Sequence, residues 1–339
     1  MKKIGILLSN IGTPDAPTSK SVRRFLKEFL SDPRVIELPQ ILWQPILRGI
    51  ILTTRPRQSA ALYQKVWRAN GSPLLAYTME LALLLEKSLR QQYGDDIFVS
   101  VGMRYGNPSI ESALNAMRDN KVERYLILPL FPQYSATTTA ATFDAVQDTF
   151  KKWRHLPDLH TINSYADDAD YIQGLAQSIK NHQTKNGQKH LLFSFHSIPQ
   201  RYADKGDPYQ TQCQLTAKLV ATALSLRSDE WSMAYQSRLG PTKWLTPYTD
   251  KVLAAMPHQG IQDLQVVCPG FSVDCLETLE EIAIRGKEQF LESGGKTYEY
   301  IPALNCSHAH LKILSEMVSR NLQGWLETPA VSTSNPQLT

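Results

Sequence analysis

Two stretches of the chain bring together side chains that can do acid–base and metal chemistry. The first, residues 190–209, reads HLLFSFHSIPQRYADKGDPY. Leu191, Leu192, Phe193, Ser194 and Phe195 make a run that is apolar almost throughout, as in a strand covered on both faces, and His196 stands where that strand should stop. In an open α/β sheet the carboxyl end of a strand is where ligands bind. An imidazole, with an unperturbed pKa of about 6.5, can accept a proton near neutral pH, and modest changes in its surroundings set whether it does. Pro199 and Pro208 restrict the following loop and Gly206 permits a turn, so the histidine has a stiff mount. Position alone leaves open that His196 is a hydrogen-bonded structural group. The second stretch is GFSVDCLETLEEIAIRGKEQF. Asp274 occupies a helix-cap position, and Glu277, Glu280 and Glu281 follow in the first turns, where carboxylates suit the helix dipole. Glu280 is read in that role. Glu277 and Glu281 are four apart and share a face; in a regular helix each such step drifts by about 40°, and a π-type turn aligns them better.

The elements that must position these groups follow from periodicity. Strand candidates cover 3–9, 97–103, 125–131, 190–196, 233–236, 264–267 and 298–301, with amphipathic helical stretches between them. Strands alternating with helices argue for parallel sheets flanked by helices. After the first strand, Asn10-Ile11-Gly12-Thr13-Pro14 reads as a turn, and 302–305 reads as a short strand before a helix near Ser307. His308 and His310 are two apart and do not share a helix face, which argues against a metal pair. The similar layouts of LILPLFPQYS and LLFSFHSIPQ suggest two halves built alike, with 152–165 as the connection between them. Residues 38–63 hold Leu42, Trp43, Ile46, Leu47, Ile50, Ile51 and Leu52 with Arg48, Arg55 and Arg57 among or just after them. That composition fits an amphipathic element on an anionic membrane surface, and it equally fits a helix buried against a sheet.

Composition narrows the partners. The 339 residues, 42% hydrophobic and 20% charged, are enough for one large or two medium domains with a sizeable core. A net charge of +4, without long runs of lysine or arginine, argues against nucleic acid. Two lysines precede the apolar residues 4–8, a stretch too short for a signal peptide, so it is read as the first strand of a cytoplasmic protein. Nothing approaches the 18 or more apolar residues, roughly, of a membrane-spanning helix. Cys213, Cys268, Cys275 and Cys306 form no CxxC pair, which indicates neither a zinc site nor a disulfide framework.

The pattern of two apolar residues, a spacer, Ser194, a spacer, His196, Ser197, Ile198 and Pro199, then Gly206, Asp207, Pro208 and Tyr209, resembles the signature of the ferrochelatases. These enzymes insert ferrous iron into a porphyrin to make haem. The resemblance covers nearly the whole chain and is most specific at His196, Trp244 and Glu277. It implies the bacterial type, with the chelatase fold of two Rossmann-like domains: 1–160 with a membrane-facing lip at 41–52, 161–328 carrying His196 and Glu277, and a disordered tail at 329–339. It implies that His196 and Glu277 are catalytic and that His196, Glu277 and Glu281 meet the metal, Glu281 being the next member of an acidic ladder. It further implies that Ile11, Tyr134, Ser135 and Trp244, the last in GPTKWLTP, line the porphyrin site, and that Arg55, Tyr63 and Ser72 hold propionates. Arg57 competes with Arg55 for that role. Arg104 and Tyr105 are expected to line the pocket or to join the domains.

The sequence departs from the family at Cys275, a place often filled by histidine, and at Arg285, where a further carboxylate is common. Some ferrochelatases hold an iron–sulfur cluster through a cysteine after the PQYS serine and several in a C-terminal extension. Here Ala136 follows Ser135 and no cysteine follows Cys306, so no cluster and no tightly bound cofactor are expected. Ferrous iron and protoporphyrin IX are then the substrates, and an anionic membrane surface, met from the cytoplasmic side, is the further partner. Two rivals stay open: a chelatase of the same fold acting on coproporphyrin or another metal, and a non-catalytic haem or porphyrin carrier.

Overall fold

The apolar runs pair in parallel, and the helical segments between them supply the crossovers that parallel pairing requires. The computed structural model describes residues 2–240 and 242–326. In it β1 (Ile4–Thr13), β2 (Ile97–Gly106), β3 (Arg124–Pro129) and β4 (Asp158–Thr161) form a sheet in the order β2-β1-β3-β4. A second sheet, of β5 (His190–His196), β6 (Trp231–Gln236), β7 (Asp263–Val267) and β8 (Thr297–Ile301), has the matching order β6-β5-β7-β8. The helices around the first sheet are α1 (Ser19–Ser31), α2 (Gln40–Ile46), α3 (Leu52–Val66), α4 (Pro73–Tyr93), α5 (Ile110–Asp119) and α6 (Ala141–Phe150). Those that follow are α7 (Ala169–Asn186), α8 (Gln200–Asp204), α9 (Tyr209–Ala223), α10 (Thr249–Ala255), α11 (Lys287–Glu292) and α12 (His308–Asn321). The architecture is thus two parallel α/β sheets of Rossmann type.

Ile4, Ile6 and Leu8 of β1 lie in one continuous core with Leu191, Phe193 and Phe195 of β5, closed by Leu85 of α4, Ile179 of α7, Val220 of α9 and Leu314 of α12. Each such side chain contributes about 1.5–3 kcal/mol by leaving water, so the sheets are held together by the same burial that stabilises each. The C-terminal helix and the residues after it also reach back onto the first half: Ser315 Oγ lies 3.4 Å from Ser88 Oγ of α4, and Trp325 stacks on His160 of β4 with ring centroids 3.9 Å apart. The boundary expected at 160 falls inside β4, and the tail expected to be disordered at 329–339 lies outside the described residues.

Four expectations need correction. Asn10 to Thr13 continue β1, with Gly12 opposite Tyr105 and Thr13 opposite Gly106. Gly12 has φ +107°, and a Cβ there would stand 1.8 Å from the Tyr105 carbonyl oxygen, so only glycine lets the two strands run on together. Within the supposed connection 152–165 lies β4, a four-residue edge strand whose DLHT sequence has no apolar run to announce it. Residues 302–305 form no strand, since β8 ends at Ile301. Finally, the sheet orders match β1 to β5 and β3 to β7, so LILPLFPQYS is not the counterpart of LLFSFHSIPQ. The counterparts are SNIGTP and SFHSIP at the ends of β1 and β5, and PQYS and PGFS beyond β3 and β7. Each of the latter leads into a π-helical stretch, Ala136–Ala140 in the first half and Glu277–Gly286 in the second.

Candidate active site

His196 is the last residue of β5, half-buried and in register with Gln236 of β6. Its Nδ1 lies 2.6 Å from the Ser197 carbonyl oxygen. A carbonyl can only accept, so in the neutral ring the proton sits on Nδ1 and the lone pair on Nε2 is left for a base or a metal ligand. The loop beyond is pinned by backbone bonds to the segment around Trp244: Leu245 N–H donates to the Ile198 carbonyl at 3.0 Å and Gln200 N–H to the Lys243 carbonyl at 2.9 Å. Pro199 and Trp244 form a β-bridge, and the indole Nε1–H of Trp244 donates to the Leu239 carbonyl at 2.8 Å. The half-buried indole is thereby fixed beside the histidine loop.

The carboxylates reach the same end of the sheet through β6. Ser194 Oγ donates to Gln236 Oε1 at 2.7 Å, and Gln236 Nε2 donates to the Glu277 carbonyl at 3.0 Å. Ser237, in the left-handed region at φ 65°, donates its N–H to Glu281 Oε1 at 2.8 Å and its hydroxyl to Glu281 Oε2. Burial raises the Glu281 carboxyl above its ordinary value, against the opposing influence of Ser237, His196 and Arg285. Burial likewise pushes the Tyr63 phenol and the Cys275 thiol well up, and the charge of Glu277 adds to both, so these two neutral groups flank Glu277. Behind them buried Asp274 accepts from Thr278 Oγ1 at 2.9 Å and Asn305 Nδ2 at 2.6 Å, tying the start of the π-helical stretch to the loop after β8. The arrangement offers an imidazole lone pair and two carboxyl groups at one end of a parallel sheet, a set able to take up protons and to bind a ferrous ion transiently. Among the described residues no group of three or more His, Cys, Asp or Glu is disposed to hold a metal ion.

The ferrochelatase family profile matches residues 3–322 of this chain. The chain belongs to the ferrochelatase family. It is similar to the ferrochelatase of Idiomarina loihiensis, 50% identical over 324 residues that cover 95% of this chain and 89% of that one. The ferrochelatase of Methylococcus capsulatus is 52% identical over 313 residues, covering 92% and 94%. Among solved structures, SirB from Bacillus subtilis with Fe3+ superposes with a TM-score of 0.54 over 96% of this chain and 100% of that one. At 12% identity that likeness speaks for the fold alone, a two-domain chelatase fold.

The remaining residues singled out in the sequence lie as follows. Ile11 is half-buried near the end of β1, against the common core. Tyr134 is half-buried, and its backbone N–H donates to Gln212 Oε1 at 2.7 Å. Ser135 is buried and donates to Asp207 Oδ2 at 2.9 Å, so the PQYS and GDPY motifs bond to each other. Ser72, also buried, caps α4 by accepting from Leu75 N–H at 3.2 Å. Arg55 and Arg57 are both exposed on α3, well apart in character from buried Tyr63 on the same helix. Arg104 and Tyr105 turn to Asp32 at the end of α1, the tyrosine hydroxyl donating at 2.8 Å. Among the described residues their side-chain partners lie in the first half. Reasoning from sequence missed Gln236 and Ser237 as the holders of the acidic pair; the signal for them was two polar residues at the end of an apolar strand next to β5.

Proposed function

We infer that this protein is an enzyme that inserts ferrous iron into protoporphyrin IX, releasing two pyrrole protons and forming protohaem. The observation that carries the reading is His196, whose Nε2 has no hydrogen bond among the described residues and whose charge acts on the Glu281 carboxyl, in a chain of the ferrochelatase family. In this reading Nε2 of His196 takes up the protons leaving the pyrrole nitrogens. Glu277 acts across the cleft, by proton transfer or by guiding iron, and Glu281 passes protons or metal onward. The three side chains touch iron only in transit. Ile11, Tyr134, Ser135 and Trp244 line the macrocycle, and Arg55, Tyr63 and Ser72 receive propionates; the exposed guanidinium of Arg55, without an ion pair among the described residues, suits a carboxylate through paired hydrogen bonds. The reaction needs no organic cofactor and no iron–sulfur cluster.

The same reading sets the protein on an anionic membrane surface from the cytoplasmic side. Its support is the run from Ile41 to Ile50, where Ile41 is 83%, Leu42 64% and Ile50 57% exposed, with Arg48 within it and Arg55 and Arg57 just after. No helix among the described residues is long and apolar enough to cross a membrane. An apolar rim of this kind favours the hydrophobic protoporphyrin over coproporphyrin. Anaerobic incubation of the protein with ferrous iron and either porphyrin tests the reading, and catalytic formation of protohaem is the expected result. Preferential metallation of coproporphyrin would assign the related chelatase, and stoichiometric porphyrin binding without turnover would assign a carrier.

A further inference from the structure

Glu280, read from the sequence as an ordinary first-turn acid, is only 1% exposed. Its Oε1 accepts from Lys65 Nζ at 3.1 Å, and its Oε2 accepts from Arg285 Nη2 at 3.1 Å and Nε at 3.3 Å. Lys65 belongs to α3, the helix that carries Arg55 and Tyr63, while Arg285 lies five residues further along the π-helical stretch itself. That spacing is informative. In an α-helix five residues turn through about 500°, leaving the two side chains about 140° apart, and only neighbours three or four apart meet. In a π-helix the backbone bonds run from i to i+5, so residues five apart come onto one face. The Glu280–Arg285 pair can form in the π register and would be lost in the α register. A π run of ten residues is far longer than the usual single-turn bulge, so it needs an interaction to hold it. Buried ion pairs contribute little net stability, and fixing a register is their best-attested use.

We propose that Glu280, clasped by Arg285 and Lys65, is a positioning residue that locks the π register of the helix after β7 and ties it to α3, holding Glu277 and Glu281 toward His196. The inference rests on the catalytic reading of Glu277 and Glu281 given above. Arg285, which stands where the family often has a carboxylate, is then a register-holding cation and no member of a metal path.

The test compares Glu280→Gln, Arg285→Met and their double variant in steady-state metallation and in amide hydrogen exchange. Each single change should lower kcat about tenfold while porphyrin KM changes by less than about twofold, and the double variant should be no slower than the worse single one. Exchange should quicken across 277–286 and not in β5, and Arg285→Lys should recover part of kcat. Wild-type kcat in a folded Glu280→Gln or Arg285→Met protein would overturn the proposal, as would losses that multiply in the double variant. Should Glu280→Gln fail to fold, Arg285→Met decides alone, since that side chain is 56% exposed. Glu277→Gln measured alongside separates the two levels: an active Glu277→Gln enzyme removes the catalytic reading, whereas an inactive one beside a normal Arg285→Met removes only the register lock.

Discussion

His308 and His310 stand two apart at the start of α12 and have opposite surroundings. His308 is exposed, whereas His310 is buried, with Nδ1 2.6 Å from the Asn305 carbonyl oxygen. Burial lowers the His310 pKa to about 4, so the ring is neutral in the folded protein near neutral pH. Because the folded value lies below the unfolded value of about 6.5, the contribution is complete above that pH and is lost as pH falls toward 4, amounting to roughly 3 kcal/mol. Thermal unfolding of His310→Asn, which keeps a donor near the carbonyl, should show a weaker loss of stability between pH 6.5 and 4 than the wild type. Parallel curves would contradict this. At this scale the motif residues stood out through their resemblance to the family signature, since position alone left His196 open to a structural role. Glu280 was not, because one of its partners is 215 residues away in sequence and the other is within reach only in a π-helix.

Among the elements, the lip shows what composition can and cannot tell. Helix α2, the π-helical stretch Leu47–Ile51 and α3 follow one another without a break, and they divide the apolar residues between two roles. Leu47 and Leu52 pack with Leu30, and Trp43 joins them with its Nε1–H donating to the Leu30 carbonyl at 2.6 Å. Ile41, Leu42, Ile46 and Ile50 face solvent. The buried-helix reading of the composition therefore holds for Leu47, Leu52 and Trp43, and the exposed residues are the ones that the proposed membrane contact would use. Replacing Ile41, Leu42 and Ile50 together with serine should weaken binding to anionic liposomes in a flotation assay while metallation of detergent-solubilised porphyrin continues. Undiminished liposome binding would remove the membrane role. Strand positions were largely legible from apolar runs; β4 was not, because an exposed edge strand has little apolar surface to bury, and the length of β1 depended on the pairing at Gly12, which is a tertiary contact.

Across the whole molecule, the two matched sheets carry different side chains at their carboxyl ends. In the register that sets Ser9 and Pro14 against Ser194 and Pro199, His196 has Ile11 as its counterpart. In the register of PQYS with PGFS, Glu277 and Glu281 correspond to Ala140 and Asp144. Asp144 is bound to Arg34 Nε at 2.7 Å, so the first half has Ile11, Ala140 and an ion-paired acid where the second has His196, Glu277 and Glu281. In the proposed function that asymmetry suits a flat, largely apolar substrate with two protons to lose. Two halves built alike were expected from layout, but the segments paired for that expectation are not counterparts, and the true register required the strand order. The most direct test of the account is His196→Ala in a single-turnover, anaerobic reaction of ferrous iron with bound protoporphyrin, with porphyrin affinity measured in parallel by fluorescence. The variant should fold and bind porphyrin nearly as the wild type does, while metallation slows by about 100- to 10,000-fold. A folded His196→Ala protein that makes protohaem at the wild-type rate would contradict the assignment of the base.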